Sequence, residues 1–397
     1  MQKTVDIIGG GLSGLVVGYE LSKKGIKVNV LEKSGKPGGQ IEATKIKDYF
    51  IENYYHHFFQ GDWDFIRLVE EMGLKDNMVW RYAPSGFYTN GRLYKFSTPQ
   101  DLLRYSPLNL KNKLKLIRML LKIRSEKDIL KHDNITAKEW ILKSGNKELL
   151  DKFFRPLLRS KWGDNWDRVS AAWLFARIGL RSKRNLFGEK LGYIRHGWQQ
   201  LTNKLVKNII KNGGKIEVNW RKQPKGGVIV DTRDKEGFKF SGAMCVVLGL
   251  KRKLSDFYWI NIIDNSSFGA IIEHTNFMPF EDYGEHIVYL ASYPTSTSLV
   301  WEMQPQQVFD KYFKDLRIVF PHIRRSDVNW YRVFKEKESS FIPLVGMMTK
   351  INRLKLKKGN GRFRVGTLTA FPEAYSNIIV RNAKKCAKEV LDEISAA

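Results

Sequence analysis

The chain is predicted to be an α/β protein, with a nucleotide-binding domain on a parallel sheet and an α+β domain interleaved into it. Three observations predict this. The N-terminal residues run strand, glycine-rich turn, helix and second strand, and that strand closes on an acid. The C-terminal stretch repeats the order strand, turn, helix. Between them, 397 residues exceed what one hydrophobic core ordinarily holds, so two lobes are expected.

The opening stretch begins Val5-Asp6-Ile7-Ile8, continues Gly9-Gly10-Gly11-Leu12-Ser13-Gly14, and after a helical run ends Lys27-Val28-Asn29-Val30-Leu31-Glu32. The spacing Gly9-x-Gly11-x-x-Gly14 is the fingerprint of a Rossmann-like dinucleotide site. One glycine makes the tight turn, one admits backbone N–H groups to a pyrophosphate, and one lets helix and strand pack closely. The helix that Leu12 and Ser13 open carries roughly half a positive charge at its N-terminus, which suits phosphate. Glu32 lies eighteen residues beyond Gly14, near the spacing of about twenty at which an acid hydrogen-bonds a ribose hydroxyl.

Composition narrows the class. An apolar content of 43%, with 11 Trp, 16 Tyr and 23 Phe, describes a packed globular protein, not a disordered one. Cys245 and Cys386 form no disulfide framework and match no zinc spacing, so no metal is expected and a reducing, cytoplasmic setting is. A strand entered by Val5 leaves no room for a signal peptide. No apolar run approaches the roughly eighteen residues of a membrane span. The net charge of +27 admits an anionic substrate, an anionic membrane surface or nucleic acid as partner. The basic residues are spread along the chain and no nucleic-acid-binding module is present, so specific nucleic-acid binding is not expected.

After Glu32 comes Lys33-Ser34-Gly35-Lys36-Pro37-Gly38-Gly39-Gln40. A second Gly-Gly turn here brings backbone towards the same pyrophosphate from the other side, with Lys33 or Lys36 adding charge. The pair GGGLSG … LEKSGKPGGQ resembles the FAD-binding N-terminus of the flavin amine oxidase superfamily. That group includes monoamine oxidases, protoporphyrinogen oxidases, phytoene desaturases and UDP-galactopyranose mutases. The resemblance implies FAD as cofactor and a Rossmann-like domain of the glutathione-reductase type. It assigns that domain residues 1–75, 196–250 and 355–397, with a substrate domain from 76–195 and 251–354.

The segment Tyr54-Tyr55-His56-His57-Phe58-Phe59 precedes an amphipathic helix near Asp64–Gly73 and resembles the protoporphyrinogen-oxidase-like and mutase-like branches. There the corresponding segment brings a side chain towards the flavin. His56 and His57 are both candidates, and His57 is also a candidate cofactor contact. Short β-like pieces follow from Val79 to about Tyr105, with a turn at Asn90-Gly91. Residues 110–124 form a basic amphipathic helix, with Leu110, Leu114, Ile117 and Leu121 on one face and Lys111, Lys115, Arg118 and Lys122 beside it. It reads as a domain helix with a solvated basic face; peripheral contact with an anionic membrane is the alternative. Thr136 and Glu139 form a capping box for the next helix. Arg155, Arg159 and Lys161, in a segment that resembles the substrate-domain helices, suit an anionic substrate group or structural salt bridges.

Gly197 and Trp198 mark the point where a chain of this family returns to the FAD domain, and both are candidate cofactor contacts. Only a short segment then separates Val218 from the strand at Gly226–Val230, so the usual β-excursion is expected to be trimmed. In amine oxidases proper, the strand at Gly242–Leu248 bears a lysine that reaches flavin N5 through a water. Met244, Cys245, Val246 and Val247 hold the matching positions and none is basic. Residues 260–293 and 298–303 read as strands, with Glu273 and His274 as cavity groups or strand-end caps; 307–320 reads as a helix and 327–334 as a strand. The turn 371–377 before the helix 378–394 resembles the C-terminal FAD signature, with Tyr375, Ser376 and Asn377 near the cofactor and the last two as caps.

Gly213-Gly214 and Gly359-Asn360-Gly361 lack the strand–turn–helix context, which leaves one dinucleotide. The leading expectation is an FAD-dependent oxidoreductase that takes a hydride from a C–H or C–N bond of a small molecule. The alternatives are a mutase-like flavoenzyme acting on an anionic sugar nucleotide or lipid-linked sugar, and a flavin-free scaffold.

Overall fold

The computed structural model describes residues 4–180, 188–224, 227–235, 237–373 and 375–396. They fall into two compact units, 1–79 with 192–238 and 350–397, and 80–191 with 239–349. The first passage of the chain forms β1 (Thr4–Ile8), α1 (Leu12–Ser22), β2 (Lys27–Leu31), β3 (Ala43–Ile46), β4 (Tyr49–Glu52), β5 (Phe58–Phe59) and α2 (Trp63–Glu71). Next come β6 (Met78–Tyr82), β7 (Ser85–Thr89), β8 (Arg92–Lys95), α3 (Pro99–Arg104), α4 (Leu110–Ser125), α5 (Ala137–Ser144), α6 (Lys147–Leu149), α7 (Arg155–Trp162) and α8 (Ala171–Leu180). The return passage holds β9 (Lys190–Ile194), α9 (Gln199–Lys211), β10 (Lys215–Glu217) and β11 (Val228–Asp231). β12 (Phe240–Leu250), β13 (Trp259–Ile262), β14 (Ala270–Glu273), β15 (His286–Ser292), α10 (Pro305–Val319) and β16 (Val328–Phe341) follow. The chain closes with α11 (Met347–Asn352), β17 (Lys357–Gly359), β18 (Arg362–Arg364) and α12 (Ser376–Ser395).

The first unit is built on a sheet ordered β10-β2-β1-β11-β18-β17, parallel except at its β17 edge. β1 enters at its centre because Val5 and Ile7 on one side and Ile8 on the other are all buried, the pattern of a strand covered on both faces. α1 packs against α9 and α12, and from Leu12 to Tyr19 every residue is buried. Its sequence, with no charge before Glu20, permits that. All five parallel strands point the same way, so Leu31, Ile8, Asp231 and Arg364 deliver their following residues to one edge. Ligands of open α/β sheets bind at that edge. Residues 218–227 alone join β10 to β11; Gly226 lies outside the described residues, and no further strand stands between the two among those described.

The second unit has a sheet ordered β16-β12-β15-β14-β13-β7-β8, antiparallel except where β13 meets β7. α10 buries Val308, Phe309, Tyr312, Phe313 and Leu316 among Met244, Val246, Leu248 and Leu290 of that sheet. Several expectations change here. Residues 239–250, assigned above to the cofactor domain, lie in this unit, because β12 pairs along its length with β15 and β16. Residues 99–104 are helical instead of β-like, because Thr98 and Asp101 close a capping box with Pro99 at the first helical position. The strand expected at 298–303 is a short 3-10 turn at Leu299–Trp301. β16 runs on to Phe341, and α12 begins at Ser376.

The largest change concerns α4. The expected core stripe faces out: Leu110 is 66% exposed, Leu114 48% and Leu121 58%. Its buried face is Asn112, Lys113, Leu116, Met119 and Ile123. The two polar members find partners, which makes their burial tolerable. Asn112 Oδ1 accepts from Asn146 Nδ2 at 2.8 Å, and Lys113 Nζ donates to the Leu103 carbonyl at 2.6 Å.

Candidate cofactor site

The fingerprint turn sits at the carboxyl edge of the parallel sheet. Gly14 must be glycine: a Cβ there would lie 1.9 Å from the Gly9 carbonyl oxygen, the close approach of helix to strand that the third glycine permits. Gly11 is the N-cap of α1, with no side-chain cap bond and no acid in the first turn. The N–H groups of Leu12, Ser13 and Gly14 and the positive helix end are thereby available to an external anion.

The second glycine turn lies against the first, as its spacing predicted. Gly38 N–H donates to the Gly10 carbonyl at 2.9 Å, and Gly11 and Gly38 form a parallel bridge. Gly38 at φ +145° and Gly39 at φ +56° hold conformations that side chains resist, and they bring Gly39 Cα to 3.7 Å from where a Gly11 Cβ would stand. The buried Glu32 carboxylate joins both turns, accepting from Gly10 N–H at 2.6 Å and Ser34 N–H at 2.7 Å. Each oxygen retains a lone pair for a ribose hydroxyl. Lys33 is exposed and its carbonyl accepts from Arg221; Gln40 is exposed in a 3-10 turn at Gly39–Ile41. Lys36, the other expected phosphate cation, donates instead to the Ala43 carbonyl and pairs with Glu42.

Two residues at this edge escaped sequence reasoning. Thr232, just past β11, donates its hydroxyl to the Ile8 carbonyl at 2.8 Å and packs on Gly9. Gly366, just past β18, approaches the Thr232 carbonyl so closely that a Cβ would stand 2.5 Å from it. Neither carries a local motif; the signal was only their position at strand ends.

A second cluster gathers around Glu52, also missed by the sequence reading. Its buried carboxylate accepts from the Tyr193 hydroxyl at 2.7 Å and from Trp198 N–H at 2.7 Å, at the start of α9. Desolvation raises its pKa, while those two donors favour the charged form. Trp198 is wholly buried and stacks on Phe65 at 4.6 Å, and its backbone N–H holds Glu52. Gly197 lies beside Glu52 Oε1. His56 Nδ1 donates to the Tyr54 carbonyl at 2.6 Å, its ring is 5.1 Å from Trp198, and desolvation lowers its pKa to about 4. It is therefore neutral, with Nε2 as acceptor. His57 meets Phe59 edge-on at 5.4 Å, and Phe59 meets Tyr375 edge-on at 5.7 Å.

The C-terminal turn differs from expectation. Tyr375 is the N-cap of α12 and makes no side-chain cap bond, while Ser376 already belongs to the helix. Asn377 caps a different helix: its Oδ1 accepts from Asp64 N–H at 2.8 Å and Phe65 N–H at 3.1 Å at the start of α2. Ala374, in the same turn, lies outside the described residues.

In the second unit, Arg155 is paired with Asp151 at 2.5 Å and stands over Trp166, so the structural reading accounts for its charge. Lys161 stands 3.6 Å over the Tyr293 ring, and Arg159 is exposed. Glu273 accepts from Leu254 N–H and the Ser255 hydroxyl, and burial raises its pKa to about 7; His274 bonds the Tyr283 hydroxyl at 2.7 Å. Met244, Cys245, Val246 and Val247 are buried in the sheet. Lys335, opposite Met244 in register, donates to the carbonyls of Val300, Trp301 and Met303.

A family model described as flavin containing amine oxidoreductase matches residues 12–249. Coproporphyrinogen III oxidase of Staphylococcus aureus is 26% identical over 199 residues, 47% of this chain and 42% of the relative. Mitochondrial protoporphyrinogen oxidase of Nicotiana tabacum is 26% identical over 200 residues, 49% of this chain and 39% of the relative. These matches span less than half the length of either relative. Cyclohexylamine oxidase from Brevibacterium oxydans superposes with a TM-score of 0.78 at 14% identity, covering 100% of both chains, which establishes the shared fold.

Proposed function

The chain belongs to the family of flavin-containing amine oxidoreductases, and on that premise we propose that it is an FAD-dependent oxidoreductase acting on a small molecule. The observation that carries the proposal is the pair of glycine turns joined by Glu32 at the uncapped N-terminus of α1. Bound FAD would supply a two-electron acceptor for a hydride leaving a C–H bond, with the accompanying proton lost from the neighbouring carbon or nitrogen. The residues of this chain hold and orient it. First-turn N–H groups of α1 and the backbone of Gly38-Gly39 face the pyrophosphate, and Glu32 accepts from the ribose. The first unit is the cofactor domain, and the second recognises the substrate. Typical amine oxidation is disfavoured, since the β12 positions carry no lysine and Lys335 has its three donors on carbonyls. An anionic substrate group would meet Arg159, which is exposed and makes no ion pair among the described residues.

The test is the absorbance spectrum of the purified protein, with mass spectrometry of the released cofactor. Stoichiometric FAD is expected. Gly11→Val is expected to remove it and to melt near the flavin-free wild-type chain, because the nearest atom to a Cβ at Gly11 is the Gly39 Cα at 3.7 Å. Colourless protein that takes up no added FAD overturns the proposal. Flavin that stays oxidised with every donor, yet isomerises a sugar nucleotide after dithionite reduction, replaces it with the mutase reading.

A further inference from the structure

We propose that α4 is the membrane-docking element of this protein, lying flat on an anionic lipid surface with its outer leucines at the acyl boundary. At 3.6 residues per turn, Leu110, Leu114, Ile117 and Leu121 fall within an arc of about 60°, on the side opposite Asn112, Leu116, Met119 and Ile123. The inner arc is buried in the second unit; on the outer arc Leu110, Leu114 and Leu121 are exposed and Ile117 is half-buried. Three exposed leucines on one face along about three turns are not the scatter of single apolar residues normal for a surface.

Charge identifies the occupant. α4 carries Lys111, Lys113, Lys115, Arg118, Lys122 and Arg124 and no acid. Lys113 and Lys115 donate to the carbonyls of Leu103 and Gly145. Lys111, Arg118, Lys122 and Arg124 are exposed and make no ion pair among the described residues. By helical position they flank the leucine arc, Lys111, Arg118 and Lys122 on one side and Arg124 on the other. Leucines at the centre with long cations at the margin let the apolar face enter the headgroup layer while the ammonium and guanidinium groups reach lipid phosphates. The neighbouring elements extend the pattern: Leu103 of α3 is 55% exposed and Leu142 of α5 40%. The net charge of +27 adds long-range attraction to such a surface. No helix is long and apolar enough among the described residues to cross a membrane, so the contact is interfacial.

Co-sedimentation of the full chain with lipid vesicles tests this without reference to flavin or turnover. The protein is expected to pellet with vesicles of equal parts phosphatidylcholine and phosphatidylglycerol, to stay in solution with pure phosphatidylcholine, and to be released as salt rises. The triple substitution Leu110→Ser, Leu114→Ser, Leu121→Ser should weaken partitioning at least about tenfold, with an unchanged melting temperature because all three are exposed. Lys111→Glu with Arg118→Glu and Lys122→Glu should abolish it. Failure of the wild-type chain to bind anionic vesicles overturns the proposal, as does equal binding by the leucine variant. A lipid-free dimer that the leucine variant dissociates also overturns it, assigning the face to a second copy of the chain.

Discussion

α1 and α4 are both helices rich in leucine and valine or isoleucine, and they meet opposite fates. α1 is buried from Leu12 to Tyr19 and leaves its N-terminus without a side-chain cap. α4 is capped, with Asn109 Oδ1 accepting from Asn112 N–H at 2.9 Å, and is apolar on two opposed arcs, of which only one is buried. The difference teaches that apolar content predicts burial where no competing face exists. α1 has no second face to offer. α4 has two, and the buried one was decided by whether its polar members find partners. The uncapped end of α1 is equally informative, because the donors that α4 gives to its own side-chain cap have no such acceptor there, where the proposed cofactor would bind.

The comparison breaks most visibly at Gly14. Gly14→Ala is expected to abolish flavin retention and to lower the melting temperature as well, since its Cβ would meet Gly9 backbone that cannot move aside. Gly11→Val, by contrast, is expected to lose the flavin and melt near the flavin-free wild-type chain, while Gly14→Ala melts below it. If Gly14→Ala melts with the wild-type chain and keeps its flavin, α1 is not locked to β1 as described. The two arcs of α4 come next. Leu116→Ala should cost about 2–5 kcal/mol in denaturant unfolding, while Leu114→Ala, on the outer arc, should stay within about 0.5 kcal/mol. Equal effects would mean that the outer arc is covered in solution. Asn109→Ala is the smallest change, expected to cost about 1 kcal/mol by removing the α4 cap; a null result would place the start of α4 beyond Asn109.

Much of the candidate cofactor site was legible in the sequence because its chemistry is local. The spacing of Gly9, Gly11 and Gly14, the second turn at Gly38-Gly39 and the acid at Glu32 lie within one βαβ unit, and the structure brings them together through short backbone bonds. Glu52, Thr232 and Gly366 were not legible, since each acts across a large sequence separation on strands whose adjacency only the sheet order supplies. Asn377 was read as a cap of its own helix for the same reason, whereas its acceptor serves the start of α2, more than three hundred positions earlier in the chain.

The sequence by itself determined where the dinucleotide turn, its acid and the helix behind it fall, because glycine geometry, helix periodicity and strand alternation are properties of neighbouring residues. Only the tertiary structure decided which arc of α4 faces in, which unit holds β12, and which buried carboxylates gather donors. Those outcomes depend on partners contributed by distant segments: Asn146 for Asn112, β15 and β16 for β12, Tyr193 and Trp198 for Glu52.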